Sequence, residues 1–522
     1  MTRAPLFPLA AAVAAVAIAG PTAAQAFDVV ETTIVEAHEA MDDGSLTCRG
    51  LVESYLARIA AYDEAGPRLN AIQTVNPRAL ELADSLDEVW TSGGPRGALH
   101  CVPVLLKDQV ETADMPTTYG SVLFADFVSH RDATLVRRLK EAGALILAKT
   151  NMGEFASRYV GSAYGIIRNP YDPTRNPSGS SGGSSAGAAA NFGLVAIGED
   201  TAGSIRGPAA VANLVGLRPT LELVSTHGMM PANPTHDTMG PITRTVTDAA
   251  RVLDAIAGYD AADPITARAW GRVPETYTAF LQANALAGAR IGVLRSPQDS
   301  NTDPSSADYR KVRSVMDRAI AELDAAGATV VDSIDIAELA LLGEIGNRFE
   351  TEAATDVYLA ELRDPPYTTF ADILLSGRVN PWRARGMMDY VGQTTDDPGY
   401  LVVTKNRAAV RAAVLAVMAE HDLDALAYAT FDHQPQPIAP DVETNPGPDD
   451  RYGWGDNRQL SPAIGFPALT VPAGFTSDAL PVGLELLSRP FTEGLLLGLG
   501  FAYEQATGHR RPPSTTPRLG GR

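Results

Sequence analysis

NPSGSSGGSSAGAAANFGLVAIGEDTAGSIR, residues 176–206, is the stretch on which the reading of the chain turns. Its opening, SGSSGGSSAG, has the composition of a flexible linker. A linker is flanked by polar sequence, however, and this one runs into AAANFGLVAIGED, an apolar helix and strand that need a core. Glycines and serines embedded in a core mark tight turns, close backbone approach or hydroxyl chemistry. The segment therefore reads as a serine site built into an α/β framework.

Working outward, CVPVLLKD (101–108) reads as a buried strand, LVRRLKEAG (135–143) as a helix and ALILAK (144–149) as a strand. Upstream, a helix from about Leu46 to Tyr62 precedes the strand NAIQTV from Asn70, and a second helix follows Asn76-Pro77. The rhythm returns with RIGVL from Arg290, a helix through Val312 to Leu323 and TVVDSI (329–334). LPVGLELL (480–487) and the helix FTEGLLLGLGFAYEQATG (491–508) close the chain. Such alternation indicates an α/β fold with a parallel or mixed sheet. With no repeat and no convincing linker, one large domain is expected over residues 27–522. DHQPQPIAPDVETNPGPDD (432–450) reads as a Pro- and Asp-rich surface loop.

Residues 1–26 read as a signal peptide. Arg3 supplies the positive n-region, Leu9 to Gly20 an apolar stretch too short to span a bilayer, and Ala24-Gln25-Ala26 a cleavage site before Phe27. The expectation is a secreted, periplasmic protein with no membrane attachment after cleavage. The formal charge of −20 and the lack of a basic stripe argue against a nucleic-acid partner. Cys48 and Cys101 are expected to form a disulfide in an oxidising compartment, with two buried thiols as the alternative. No CxxC, HExxH or HxH spacing is present, so neither a metal site nor a cofactor is expected.

Several serine layouts can be tested against the letters. Gly179-Ser180-Ser181-Gly182-Gly183 formally satisfies GxSxG, but that elbow needs a strand directly before it, and RNPYDPTRNPS is no strand. SxxK is absent: Val104, Arg137, Ile146, Asp308 and Val402 stand three residues before the five lysines. A Ser-His-Asp triad would draw on His227 or His236, the histidines nearest in sequence. The five lysines stand against 42 Lys plus Arg in all, and one of them, Lys107, ends the apolar run at 101–106. Burial there disfavours the ammonium and favours a neutral amine that can accept a proton, which arginine cannot do.

A fourth layout fits over nearly the whole of residues 27–522. GALHCVPVLLKDQVETADMPTTYGS, AKTNMGEFAS, the 176–206 segment, VGLRPT, DTMGPITRTVTDAA and LPVGLELL together resemble the amidase-signature family, and within it bacterial peptide amidases. The resemblance implies one large domain with a central mixed β-sheet covered by helices. It also implies hydrolysis of a carboxylic amide, in a small molecule or a peptide, through an acyl-enzyme. Ser204 falls on the family's nucleophile, Ser180 on its bridging serine after a cis peptide, and Lys107 on its base. The turn Thr201-Ala202-Gly203 can supply backbone N–H groups to an oxyanion.

The chain departs from the family at Ala202, where glycine is usual, and at Ser178. If position 202 required positive φ, alanine would strain the turn. Glu154, Asp200 and Arg206 match family positions and read as buried supports. Met152, Phe155, Tyr159 and Met230 fall in the expected pocket walls, 151–164 and 229–237, and core packing explains them equally well. Alternative functions are an exported esterase or acyltransferase of the same family, the glutamine-hydrolysing component of a tRNA amidotransferase, and a catalytically degenerate periplasmic binding protein.

Overall fold

Among the described residues thirteen strands form in chain order: β1 (Ile72–Val75), β2 (Pro103–Lys107), β3 (Leu145–Thr150), β4 (Val160–Gly161), β5 (Gly165–Ile166), β6 (Val195–Asp200) and β7 (Val215–Arg218), then β8 (Thr238–Thr243), β9 (Arg290–Leu294), β10 (Thr329–Ile334), β11 (Ala425–Ala429), β12 (Ala468–Phe475) and β13 (Pro481–Leu487). β4 and β5 make a separate hairpin, and the other eleven form one sheet in the order β1-β3-β2-β6-β8-β7-β12-β13-β11-β9-β10. The arrangement comes from a computed structural model that describes residue 1 and residues 27–94, 97–346 and 348–520. Apart from Met1, the segment read as a signal peptide lies outside the described residues. The sheet is mixed: β3, β2 and β6 run parallel, as do β11, β9 and β10, while the pairings between those groups are antiparallel.

β2 (PVLLK), β3 (LILAKT) and β6 (VAIGED) are buried at every position, which is why they read as unbroken apolar runs instead of alternating ones. Helices flank the sheet. One spans Gly182–Ala189, so it starts inside the Gly/Ser run and not in the alanines that follow, where the sequence pattern points. Glycine and serine are poor helix formers, and packing overrides that preference here. All eight residues are buried, and a Cβ at Gly183 would sit 2.2 Å from the Asn151 carbonyl oxygen. Only small side chains let this helix lie so close to the sheet.

The helix Cys48–Tyr62 begins at a Thr47 cap, and Cys48 is bonded to Cys101 in the turn before β2, with Cα atoms 5.7 Å apart. The helices Thr351–Glu361, Phe370–Leu375 and Pro381–Met388 build a separate apolar cluster with Tyr119, Phe124, Phe155 and Met230. Residues 432–450 are not simply a surface loop. Asp432, His433, Gln434 and Val442 are buried, and Asp450 accepts hydrogen bonds from Tyr159 Oη (2.7 Å) and Arg158. The Asn176 amide donates to the Gln436 carbonyl (3.0 Å), so the loop is strapped to the start of the 176–206 segment. Among the described residues no helix is long and apolar enough to cross a membrane.

Candidate active site

β2 and β6 are parallel neighbours, with Leu106 in register with Ile197. Their carboxyl ends therefore emerge side by side, the usual position for a site in a parallel α/β sheet. β2 ends in Lys107 and β6 in Glu199-Asp200. Both lead to buried polar groups that a core of this kind excludes unless each is paired.

Lys107 is fully buried. Its Nζ lies 2.8 Å from Ser180 Oγ, 2.8 Å from Glu199 Oε2 and 3.2 Å from the Glu199 carbonyl oxygen. Burial pulls its pKa below the ordinary lysine value, against the opposing pull of the Glu199 carboxylate. Ser180 precedes the Gly182–Ala189 helix, and the Gly179–Ser180 peptide is cis. Ser181, the formal centre of GxSxG, is occupied differently: its Oγ donates to the Glu199 carbonyl (3.2 Å) and accepts from the Glu199 amide (3.3 Å), joining the helix to β6.

Ser204 follows the turn 201–203 and opens onto a cleft of about 310 Å³ lined also by Phe155, Thr201, Ala202, Asn233 and His236. Asp200 organises the turn, accepting from the amides of Gly203 (2.7 Å) and Ile205 (3.2 Å). Behind it, Arg206 bridges Asp200 (3.1 Å) to Glu485, and Arg218 donates to Asp200 Oδ1 at 3.2 Å. Burial opposes ionisation of Asp200, but the two guanidinium groups and the Gly203 N–H hold its pKa well below the usual carboxylate value.

The architecture can now be set beside known proteins. The amidase family model matches residues 50–497. The chain belongs to the amidase family. The native peptide amidase of Stenotrophomonas maltophilia is 36% identical with a TM-score of 0.82, covering 93% of this chain and 99% of that one. A probable amidase of Arabidopsis thaliana is 33% identical over 93% of this chain and 92% of its own length. A glutamyl-tRNA(Gln) amidotransferase component from Rippkaea orientalis is 32% identical over 92% of this chain and 99% of its own length. Family membership makes the protein a hydrolase of carbon–nitrogen bonds.

In this amidase the turn 201–203, expected to offer three N–H groups, has one of them already bonded. The Gly203 amide is taken by Asp200, so it does not face the cleft. The amides of Thr201 and Ala202 make no hydrogen bond among the described residues. Gly203 carries the positive φ (+104°), and a Cβ there would lie 2.5 Å from Arg458 Cβ. Ala202 is not among the positive-φ residues, so its methyl strains nothing.

The pocket residues separate. Met152 and Phe155 line an apolar chamber beside the cleft with Met230, Phe370, Ile373 and Met387. Tyr159 does not reach it: fully buried, it packs with Val160, Trp382 and Val442 and donates to Asp450. Glu154 makes no hydrogen bond to either serine among the described residues; it accepts from Ser162 Oγ (2.5 Å) and the Asn380 amide (2.8 Å), while the Gly153 amide beside it donates to the Ser180 carbonyl (3.2 Å). Neither histidine completes a triad: His227 contacts Thr134, and His236, although in the cleft, contacts Thr235 and no carboxylate among the described residues.

Sequence reasoning missed Glu199, Asp237 and Arg458. Glu199 had a visible signal, an acid beside Asp200 at the end of an apolar strand. Arg458 had none, because it donates to the Gly203 carbonyl (3.1 Å) from more than 250 residues downstream.

Proposed function

We propose that this amidase hydrolyses carboxylic amides through an acyl-enzyme on Ser204, with Ser180 as proton relay and Lys107 as base. One observation carries the reading. Lys107 Nζ, sealed from solvent, lies 2.8 Å from Ser180 Oγ. Ser204 Oγ attacks the carbonyl carbon as its proton passes to Ser180 and the Ser180 proton to Lys107. The amides of Thr201 and Ala202 receive the oxyanion. The proton returns by the same route to the leaving amine, and water then cleaves the ester on Ser204.

The substrate is a peptide C-terminal amide, an anilide or another acylated amine whose acyl part enters the cleft beside Met152, Phe155 and Met230. The family's esterase chemistry is compatible with the same groups. Glutamine hydrolysis for a tRNA amidotransferase is the second reading, favoured by the amidotransferase relatives. The charge of −20 and the export-type segment at residues 1–26 weigh against it. We propose that this segment directs the protein to the periplasm and is removed before Phe27.

The test is single-turnover acylation by peptide amides, anilides and glutamine, with Lys107→Arg as the variant. Arginine keeps the charge but cannot accept a proton. The reading expects peptide amides or anilides to acylate the enzyme and folded Lys107→Arg to fail. Near-native acylation by folded Lys107→Arg would end it, and acylation by glutamine alone would move it to the second reading.

A further inference from the structure

The contacts of Lys107 do not stop at the serine. Glu199 Oε2 is the one carboxylate oxygen within ion-pair distance of Nζ among the described residues, at 2.8 Å, and both side chains have no solvent exposure. The other oxygen, Oε1, accepts from Thr201 Oγ1 at 2.5 Å, and Thr201 lines the cleft three residues before Ser204. One buried side chain thus spans from the base to the nucleophile's turn.

A lysine held against a carboxylate in a sealed site rests most simply as an ammonium, and an ammonium cannot accept a proton. A buried pair can resolve this without solvent. Moving one proton from Nζ to Oε2 turns an ion pair into two neutral groups, with no change in net charge and little desolvation cost. We infer that the working base is the Lys107–Glu199 pair, with Glu199 a positioning residue that takes a proton from Lys107 as Lys107 takes one from Ser180. The inference rests on the serine–serine–lysine reading above and extends it.

The step balances. Ser204 Oγ forms its bond to the carbonyl carbon, and the carbonyl π pair moves to oxygen. The Ser204 proton goes to Ser180 Oγ, the Ser180 proton to Lys107 Nζ, and one Nζ proton to Glu199 Oε2. When the carbon–nitrogen bond breaks, each proton moves back one place and the leaving amine receives the one from Ser204.

The neighbouring charges fit this role. Asp200, next on β6, is held by Arg206 and by Arg218 of β7. Asp237, just before β8, accepts from the amides of Ala232 and Asn233 through Oδ2, both at 2.8 Å, while its Oδ1 is buried without a hydrogen-bond partner among the described residues. Burial, then the nearby charge of Glu199, push the Asp237 pKa well up. Glu199, the carboxylate in direct contact with Nζ, is the acceptor.

The experiment is the pH dependence of single-turnover acylation, read in the wild-type enzyme and in Glu199→Gln, with covalent labelling by a fluorophosphonate as a separate readout. If the pair is the base, the wild-type rate stays level between about pH 7 and 9, because no proton must first be lost to water. Glu199→Gln keeps the size and hydrogen bonding but cannot take the proton. Without the carboxylate, burial lowers the Lys107 pKa further, so the amine stays neutral; the variant's rate, level over the same range, should be at least about tenfold lower because the buried ammonium that forms has no acceptor for its proton. A wild-type rate that itself climbs about tenfold per unit over that range would overturn the inference without any variant. So would a folded Gln variant that acylates within about threefold of the wild-type rate, or one whose loss lies in substrate binding and not in the acylation step, the signature of a structural role. If the wild type takes no label at Ser204, it is the serine reading that fails and not the pair.

Discussion

Arg206→Met tests whether the buried ion network behind Ser204 carries stability. Arg206 has no exposed surface and binds Asp200 through Nε (3.1 Å), the Arg458 carbonyl through Nη2 (2.8 Å) and Glu485 through Nη1. Removing one partner of a buried pair costs about 3–5 kcal/mol, because the charge left behind has no compensation. The two carboxylates are not left alike. Asp200 keeps Arg218 and the amides of Gly203 and Ile205, whereas Glu485 keeps, among the described residues, only the Tyr428 hydroxyl at 3.0 Å. One stranded carboxylate and not two puts the cost near the lower figure, about 3 kcal/mol at neutral pH.

The sign of the pH dependence follows. Burial already raises the Glu485 pKa, with Arg206 opposing it, so the substitution raises it further. A group whose folded pKa is raised stabilises fully below its unfolded value, about 4.3, and loses that contribution as pH rises through the folded value. The penalty of Arg206→Met should therefore be smaller at about pH 5 than at about pH 8. Urea unfolding at both pH values measures it as a shift in midpoint at constant slope. Adding Glu485→Gln should recover part of the loss, since the stranded charge is then gone. A penalty under about 1 kcal/mol, or one that grows toward acid pH, would refute the reasoning.

Gly203→Ala should destabilise by about 1–3 kcal/mol through positive-φ strain, and lower labelling of Ser204, because its Cβ meets Arg458. Ala202→Gly, at ordinary φ, should stay within about 1 kcal/mol of the parent, and urea midpoints with probe-labelling rates separate the two. The unreduced, denatured protein should show no free thiol on titration. Replacing both cysteines by serine should cost about 4 kcal/mol in the loop-entropy model for a separation of 53 residues. N-terminal sequencing of protein recovered from the periplasm should begin at Phe27, and finding Met1 there would count against export.

Much of the framework was legible because the central strands are buried on both faces and read as continuous apolar runs. Capped helices were also legible, and that on 307–325 ends within two residues of the Leu323 expected. The helix on Gly182–Ala189 was misplaced because its propensities point the other way and only the sheet beneath it explains it. At the candidate site, the burial of Ser180, Ser204 and Lys107 was readable, since each sits in a segment whose neighbours demand a core. The hydrogen bond that ties the Gly203 amide to Asp200 was not, because it depends on which way one amide turns. Tyr159 failed as a pocket residue for a related reason: a tyrosine beside a pocket segment looks the same in sequence whether it faces a cleft or an Asp450 some 290 residues away.

Intact-protein mass spectrometry after treatment with a fluorophosphonate reads the nucleophile most directly. The wild-type protein and Ser181→Ala, whose hydroxyl is tied to the β6 backbone, should each take one adduct. Ser204→Ala, folded by circular dichroism, should take none and should not turn over any amide. An adduct on Ser204→Ala, or its loss from folded Ser181→Ala, would contradict the account.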